Sequence, residues 1–177
     1  ITELTFPELD AASKNPARFT LTLKAETTRV SKASAGGKGP TTATKKQKAW
    51  SPQNFRLKLD DLPTSKTSKI DAITVKQSVT EEAGRLTLHP VDIPNIVFSL
   101  READVNEFSD WFEDFVIKGN SSKERSGTLE FLDSAAKNAL FTLTLSNVGV
   151  IRIHRERNEQ GSEVIARVRV TSYCEAM

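Results

Sequence analysis

Ala103-Asp-Val-Asn-Glu-Phe-Ser-Asp-Trp-Phe-Glu-Asp-Phe-Val116 sets the fold class, because it departs from the two-residue rhythm of the rest of the chain. Its apolar positions Val105, Phe108, Trp111, Phe112 and Phe115 recur at intervals of three and four, the spacing of one face of an α-helix. A helix is predicted over about 101–118. Ser99-Leu-Arg-Glu102 has the spacing of a capping box at its start. Lys118-Gly119-Asn120 stops it, with a cation for the negative end of the dipole and a glycine for the left-handed cap.

Outward from this helix the pattern is β. Phe19-Thr-Leu-Thr-Leu-Lys24 alternates apolar with polar residues, as does Phe55-Arg-Leu-Lys-Leu59 between Ser51-Pro52 and Asp60-Asp61-Leu62-Pro63. Ile70 to Gln77 continues, with Ile73 and Val75 on one face and Thr74 and Lys76 on the other. A short run at Arg85–Leu88 precedes a connection bracketed by Pro90 and Pro94, and Asn95–Phe98 follows. Beyond the helix, strands are expected at Thr128–Leu132, Leu140–Ser146, Val150–Arg155 and Val164–Ser172, the last two joined by a turn at Asn158-Glu-Gln-Gly161. The pentad Phe141-Thr-Leu-Thr-Leu145 repeats Phe19–Leu23, but the flanks do not match, so it is weak evidence of duplication. The fold class predicted is mainly β, an antiparallel β-sandwich or half-barrel with one flanking amphipathic helix, in a single domain over 1–177.

The chain has 177 residues, 37% hydrophobic and 27% charged, with a net charge of +2 that makes no overall case for a polyanion partner. The distribution of charge is uneven. Residues 1–80 carry 14 basic and 7 acidic side chains, and residues 81–177 carry 11 and 16. Residues 31–50 form a long loop, rich in Gly and Lys, with Lys32, Lys38, Lys45, Lys46 and Lys48 and no acid, ending at Trp50. Its length and charge fit an arm between subunits or a contact with a phosphate backbone. Trp50 offers an anchor or an interface ring, whereas Trp111 sits at core spacing. The helix presents Glu102, Glu107, Asp110, Glu113 and Asp114, an acidic face that either is simply solvated or docks on a basic patch. Arg152, Arg155, Arg167 and Arg169 on the final strands form a candidate basic stripe.

Catalytic and metal chemistry finds little footing. Gly36-Gly37-Lys38-Gly39 lacks the spacing of a phosphate-binding loop, and no G-x-S-x-G elbow is present. His89, His154 and Cys174 lack paired-ligand spacing, and one cysteine cannot form an intrachain disulfide. Asp60-Asp61 and Glu81-Glu82 read as turn and loop acids. No enzyme activity, metal or cofactor is expected. No stretch is long and apolar enough to span a bilayer as a helix, so membrane insertion is not expected.

Phe108-Ser-Asp-Trp-Phe112, Gly127-Thr-Leu-Glu-Phe131, Leu145-Ser-Asn-Val-Gly149 and Ile165 to Met177, in this order, resemble the second half of tail-tube proteins of contractile phage tails and related injection systems. The resemblance covers roughly residues 55–177 by pattern and is most specific from Trp111 onward. It implies a small β-sandwich or half-barrel that joins edge to edge into six-membered rings. Stacked rings would make a hollow tube for DNA or a protein effector, with loop 31–50 as the inter-ring arm. It further implies sheath, baseplate and terminator proteins as partners, and a place in a virion tail or injection particle assembled in the bacterial cytoplasm. The alternative is a polyanion- or nucleic-acid-binding β module that uses the basic loop 31–50.

Overall fold

The computed structural model describes residues 1–30, 32, 50–156 and 166–177. The chain forms strands β1 (Glu3–Phe6), β2 (Leu9–Asp10), β3 (Thr20–Thr22), β4 (Phe55–Leu59), β5 (Lys69–Ile70), β6 (Ile73–Glu82), β7 (Arg85–Asp92) and β8 (Ile96–Arg101). Helix α1 (Asn106–Phe112) follows, and then β9 (Arg125–Leu132), β10 (Ala139–Arg155) and β11 (Arg167–Ala176). All pairings are antiparallel. They build a four-stranded sheet ordered β3-β1-β6-β7 and a seven-stranded sheet ordered β2-β5-β8-β11-β10-β9-β4. The mainly β architecture with one short flanking helix is as the sequence predicts.

At two two-residue corners the chain passes directly from the small sheet to the large one or back. Pro7-Glu8 separates β1 from β2, and Asp71-Ala72 separates β5 from β6. The corners run side by side, because Phe6 pairs with Ile73 in the small sheet and Leu9 with Ile70 in the large one. All four side chains are buried, and this apolar hinge is where the two layers meet. The Lys69 ammonium reaches Glu8 at 2.9 Å across the corner, and that carboxylate holds the lysine above its ordinary pKa. The read strand Ile70–Gln77 is therefore two strands in two sheets, bent at Asp71-Ala72.

The core lies between the sheets. Leu57, Phe98, Leu100, Leu129, Phe131, Leu145, Val148, Val150 and Val170 from the large sheet pack with Phe6 and Ile73 from the small one. Burial of each such side chain contributes about 1.5–3 kcal/mol. Phe6, Phe19, Trp50, Phe131 and Phe141 form an aromatic cluster, with ring centroids 5.4–6.0 Å apart in the contacting pairs.

Several expectations need correction. Leu140–Ser146 and Val150–Arg155 are one 17-residue strand, β10, which pairs with β9 through its first half and with β11 through its second. Register shifts between Leu145 and Val148 and between Val150 and Arg152 hide this continuity. The first extra residue keeps Leu145 and Val148 on the core side, and the second keeps Val150 and Ile153 there. Pro90 lies inside β7, where the register slips opposite Gln77–Val79; an edge strand tolerates the missing N–H. Glu81 and Glu82 are strand residues paired with Leu86 and Arg85, and the hairpin turns at Ala83-Gly84, both with positive φ, as a two-residue primed turn requires. The turn read at Asn158–Gly161 lies outside the described residues.

The capping box is absent. Ser99 lies in β8, and its hydroxyl donates to Glu156 Oε1 at 3.0 Å. The helical segment opens instead with a 3₁₀ turn at Glu102–Asp104, and after α1 it widens into a π turn at Glu113–Ile117, where Lys118 N–H reaches the Glu113 carbonyl. Gly119 adopts φ +66°, the left-handed stop read from the sequence.

Candidate assembly surfaces

The acids of the predicted helix face are partly neutralised within the chain. Phe108 and Trp111 are buried, with Phe108 5.8 Å from Phe98 and the Trp111 indole N–H donating to the Lys123 carbonyl at 2.8 Å. The anchored apolar stripe turns the acids outward. Glu102 takes Arg155 at 2.7 Å, Asp104 takes Arg101 at 2.8 Å, and Lys118 bridges Glu113 and Asp114 at 3.2 and 2.8 Å. Lys118 holds the Asp114 carboxyl below its ordinary pKa, and the two acids raise the lysine in return. Glu107 and Asp110 are exposed beside them.

The arginines do not form one stripe. Register places Arg152 opposite Thr171 and Arg155 opposite Val168, so three steps along an extended strand turn the two side chains to opposite faces. Arg155 pairs with Glu102 on the helical segment. Arg169 pairs with Asp71 at the sheet corner and lies 3.8 Å from Glu156, whose carboxylate also accepts from Ser99. Arg167 stands opposite Arg101 on β8. The strand's basic face thus includes Arg152, Arg167 and Arg169, with Arg169 committed to holding the corner.

Of the basic loop, Lys32 is exposed, and Lys38, Lys45, Lys46 and Lys48 lie outside the described residues. Trp50 is half-buried, stacked on Phe19 at 5.4 Å and edge-on to Phe131 at 5.6 Å. Cys174 is buried in β11, and its apolar surroundings push the thiol pKa up. His89 and His154 lie on different sheets. Among the described residues no cluster of His, Cys, Asp and Glu is arranged to hold a metal ion, and no helix is long and apolar enough to cross a membrane.

A surface that sequence reasoning missed lies on the small sheet. Among the described residues, both of its outer strands, β3 and β7, have one side free of strand partners. Alternation from the register puts Phe19, Leu21 and Leu23 along β3, and Leu88 and Val91 along β7, on the face that bears Phe6 and Leu4. All five are exposed. At the β3 edge an apolar hollow of about 300 Å³ opens between Leu4, Phe6, Phe19, Leu21 and Phe141. Free edges beside exposed apolar side chains invite strand pairing with another chain. Only the sheet order identifies these strands as edges, so no single stretch of sequence carries the signal.

The fold is tail-tube-like, of the kind found in contractile injection systems. The chain aligns with a chain of the anti-feeding prophage tube-terminating cap at a TM-score of 0.54 and 18% identity, over 70% of this chain and 85% of that one. It aligns with one from the sheath–tube complex of the extracellular contractile injection system PVC, in its extended state, at 0.51 and 18%, over 69% and 84%. A chain of the anti-feeding prophage baseplate gives 0.48 and 15%, over 68% and 87%. No family model matches the sequence, and no curated protein is similar to it.

Proposed function

We propose that this protein is a structural subunit that joins into six-membered rings, which stack into the inner tube of a phage tail or contractile injection particle. The observation that carries the reading is the likeness of the fold, over about 70% of the chain, to a chain of a sheath–tube complex and to a chain of a tube-terminating cap. Free edges on a small sheet support it. Strand directions alternate across β3-β1-β6-β7, so β3 and β7 run oppositely, and head-to-tail rotation of copies would set β7 of one antiparallel to β3 of the next. A closed ring uses both edges and leaves growth only along the axis.

In this reading the chain is a conduit wall and not an enzyme. Residues 31–50, anchored by Trp50, form the inter-ring arm, and Glu107 and Asp110 meet a basic patch on a sheath, baseplate or terminator protein. Light scattering across a wide concentration range, followed by negative-stain imaging of any large species, tests the proposal. Rings or tubes are expected. A strict monomer at every concentration overturns it and favours the polyanion-binding reading, for which Lys45, Lys46 and Lys48 replaced by Ala would abolish salt-sensitive DNA binding.

A further inference from the structure

We infer that the free edge of β4, with the hollow beside it, is a docking site for an extended acidic segment of a partner protein, which adds a strand to the large sheet. The site is independent of the ring reading and uses neither edge of the small sheet. β4 ends the large sheet, with β9 as its one strand partner among the described residues. Leu132 N–H donates to the Asn54 carbonyl at 2.9 Å, and Asp60 N–H donates to the Ser126 carbonyl at 2.9 Å. Between these bonds the pairing alternates, so Arg56 and Lys58 turn their N–H and C=O groups toward β9, whereas Phe55 and Leu57 turn theirs away. Leu59, next in that series, accepts from Leu62 N–H at 3.2 Å, where the chain folds back. Among the described residues nothing hydrogen-bonds to the outward groups of Phe55 and Leu57.

A hollow of about 300 Å³ lies along this edge. Phe55, Leu57 and Leu132 give it an apolar side, and Thr64, Ser65 and Thr67, in and just after the 3₁₀ turn at Thr64–Lys66, give it hydroxyls. Leu57 is 2% exposed and Thr64 6%, so these polar groups are sheltered from bulk solvent. No hydrogen bond reaches the Thr64 hydroxyl or the buried Thr67 hydroxyl among the described residues. Sheltered polar groups in such number require a partner.

Water alone fits poorly, because the hollow is several times the size that a bridging water needs and much of its wall is apolar. The outward groups of Phe55 and Leu57 repeat at about 7 Å, the two-residue step of a strand, and another extended backbone meets all of them at once. Charge selects the composition of that segment. Arg56 lines the hollow and shares Glu130 with Lys58, while Lys66 on the turn and Lys137 beside Ala136 are exposed and form no ion pair among the described residues. Asp133, next to Leu132, is turned onto its own loop, where it accepts from Lys137 N–H and from Asn138. Four cations thus stand against two acids, and acidic residues flanking the docked strand complement them.

Amide resonances and hydrogen exchange of the full chain, kept dilute enough to stay monomeric, test the site. The probe is a synthetic peptide of alternating valine and threonine with two glutamates at each end. It should shift the Phe55 and Leu57 amides and slow their exchange. The same peptide with an N-methylated backbone, or with lysines in place of the glutamates, should bind at least about tenfold more weakly. Thr64→Val, which removes only the hydroxyl, and Lys66→Glu, at an exposed position, should each weaken binding by up to about fivefold. If Thr64→Val does not fold, Lys66→Glu decides in its place. No protection at about 1 mM peptide, or equal binding of the N-methylated form, would overturn the docking site and leave a hollow that holds water only. Protection that appears without peptide as the chain is concentrated would give the edge to a second copy and overturn the partner assignment.

Discussion

The ring of Tyr173 on β11 lies over the α-carbon of Gly149, its register partner on β10, and its hydroxyl donates to Glu124. Phe115 of the helical segment closes on the same ring at 6.2 Å. A β-carbon at position 149 would overlap the ring, so the glycine makes the slot by which the helical segment is fastened to the sheet. Gly149→Ala should lower unfolding free energy by about 1–3 kcal/mol, as overpacking does. In a Tyr173→Leu background the same change should cost less. Denaturant titration of the four-member cycle measures the difference, and additive losses would dismiss the slot.

Tyr173 also predicts an alkaline limit to stability. Burial, with the Glu124 carboxylate beside it, pushes the phenol from its ordinary 10.0 up to about 12. Above pH 10 the unfolded chain releases this proton while the folded chain keeps it. Stability is thus full below pH 10 and falls as pH rises to about 12. Tyr173→Phe should flatten that part of the pH profile, measured as denaturation midpoint against pH relative to the parent chain.

Arg169 and Asp71 join a central strand of the large sheet to the corner that leads into the small one. Both side chains are about one-third exposed, so solvent screening limits the pair to about 1 kcal/mol. Arg169→Ala should cost that much. Arg169→Asp combined with Asp71→Arg should recover part of the loss of either single change, and a double variant no better than the sum of the singles would remove the pairing as the cause.

The exposed apolar edges predict an assembly defect without a folding defect. Leu23→Asp on the β3 side and Val91→Asp on β7 alter exposed side chains, so each should change monomer stability by less than about 0.5 kcal/mol. On the proposed ring reading, each should also shift the mass distribution toward monomer at a concentration where the parent chain is assembled. Thermal unfolding and light scattering on the same samples separate the two effects. Parent-like mass distributions from both variants would exclude these edges as the contact.

Much of the architecture was legible locally. The three- and four-residue spacing of Val105, Phe108, Trp111, Phe112 and Phe115 marks the helix, since helix geometry alone puts those positions on one side, and of the five Phe108 and Trp111 are the fully buried anchors. Phe55–Leu59 is a strand over the residues read for it, because proline and acidic turns bound an uninterrupted alternation. The capping box misled because Ser99 belongs to β8, where the neighbouring strands supply the backbone partners that a helix cap would otherwise provide.

The candidate surfaces were less legible. Acids on one helix face follow from spacing, but their pairing with Arg155 depends on where β10 ends relative to α1. The free edges depend on strand order, and which side chains share a sheet face depends on register, which shifts twice within β10 with no distinctive residue pattern and once in β7 at Pro90.

The repeated pentad isolates the difference. Phe-Thr-Leu-Thr-Leu at 19–23 and at 141–145 has one local preference, extended backbone with the apolar residues on one side, and that much the sequence determined by itself. Both phenylalanines reach the same aromatic cluster, 6.0 Å apart. The leucines part company: Leu21 and Leu23 are 55% and 70% exposed at an edge of the small sheet, whereas Leu143 and Leu145 are 8% and 1% exposed. β10 has a strand on each side and the opposing layer above it, and among the described residues β3 has a neighbour on one side only. A pentad encodes which way its side chains point, but what they point at is supplied by distant strands, so only the tertiary structure could decide that one copy is core and the other is surface.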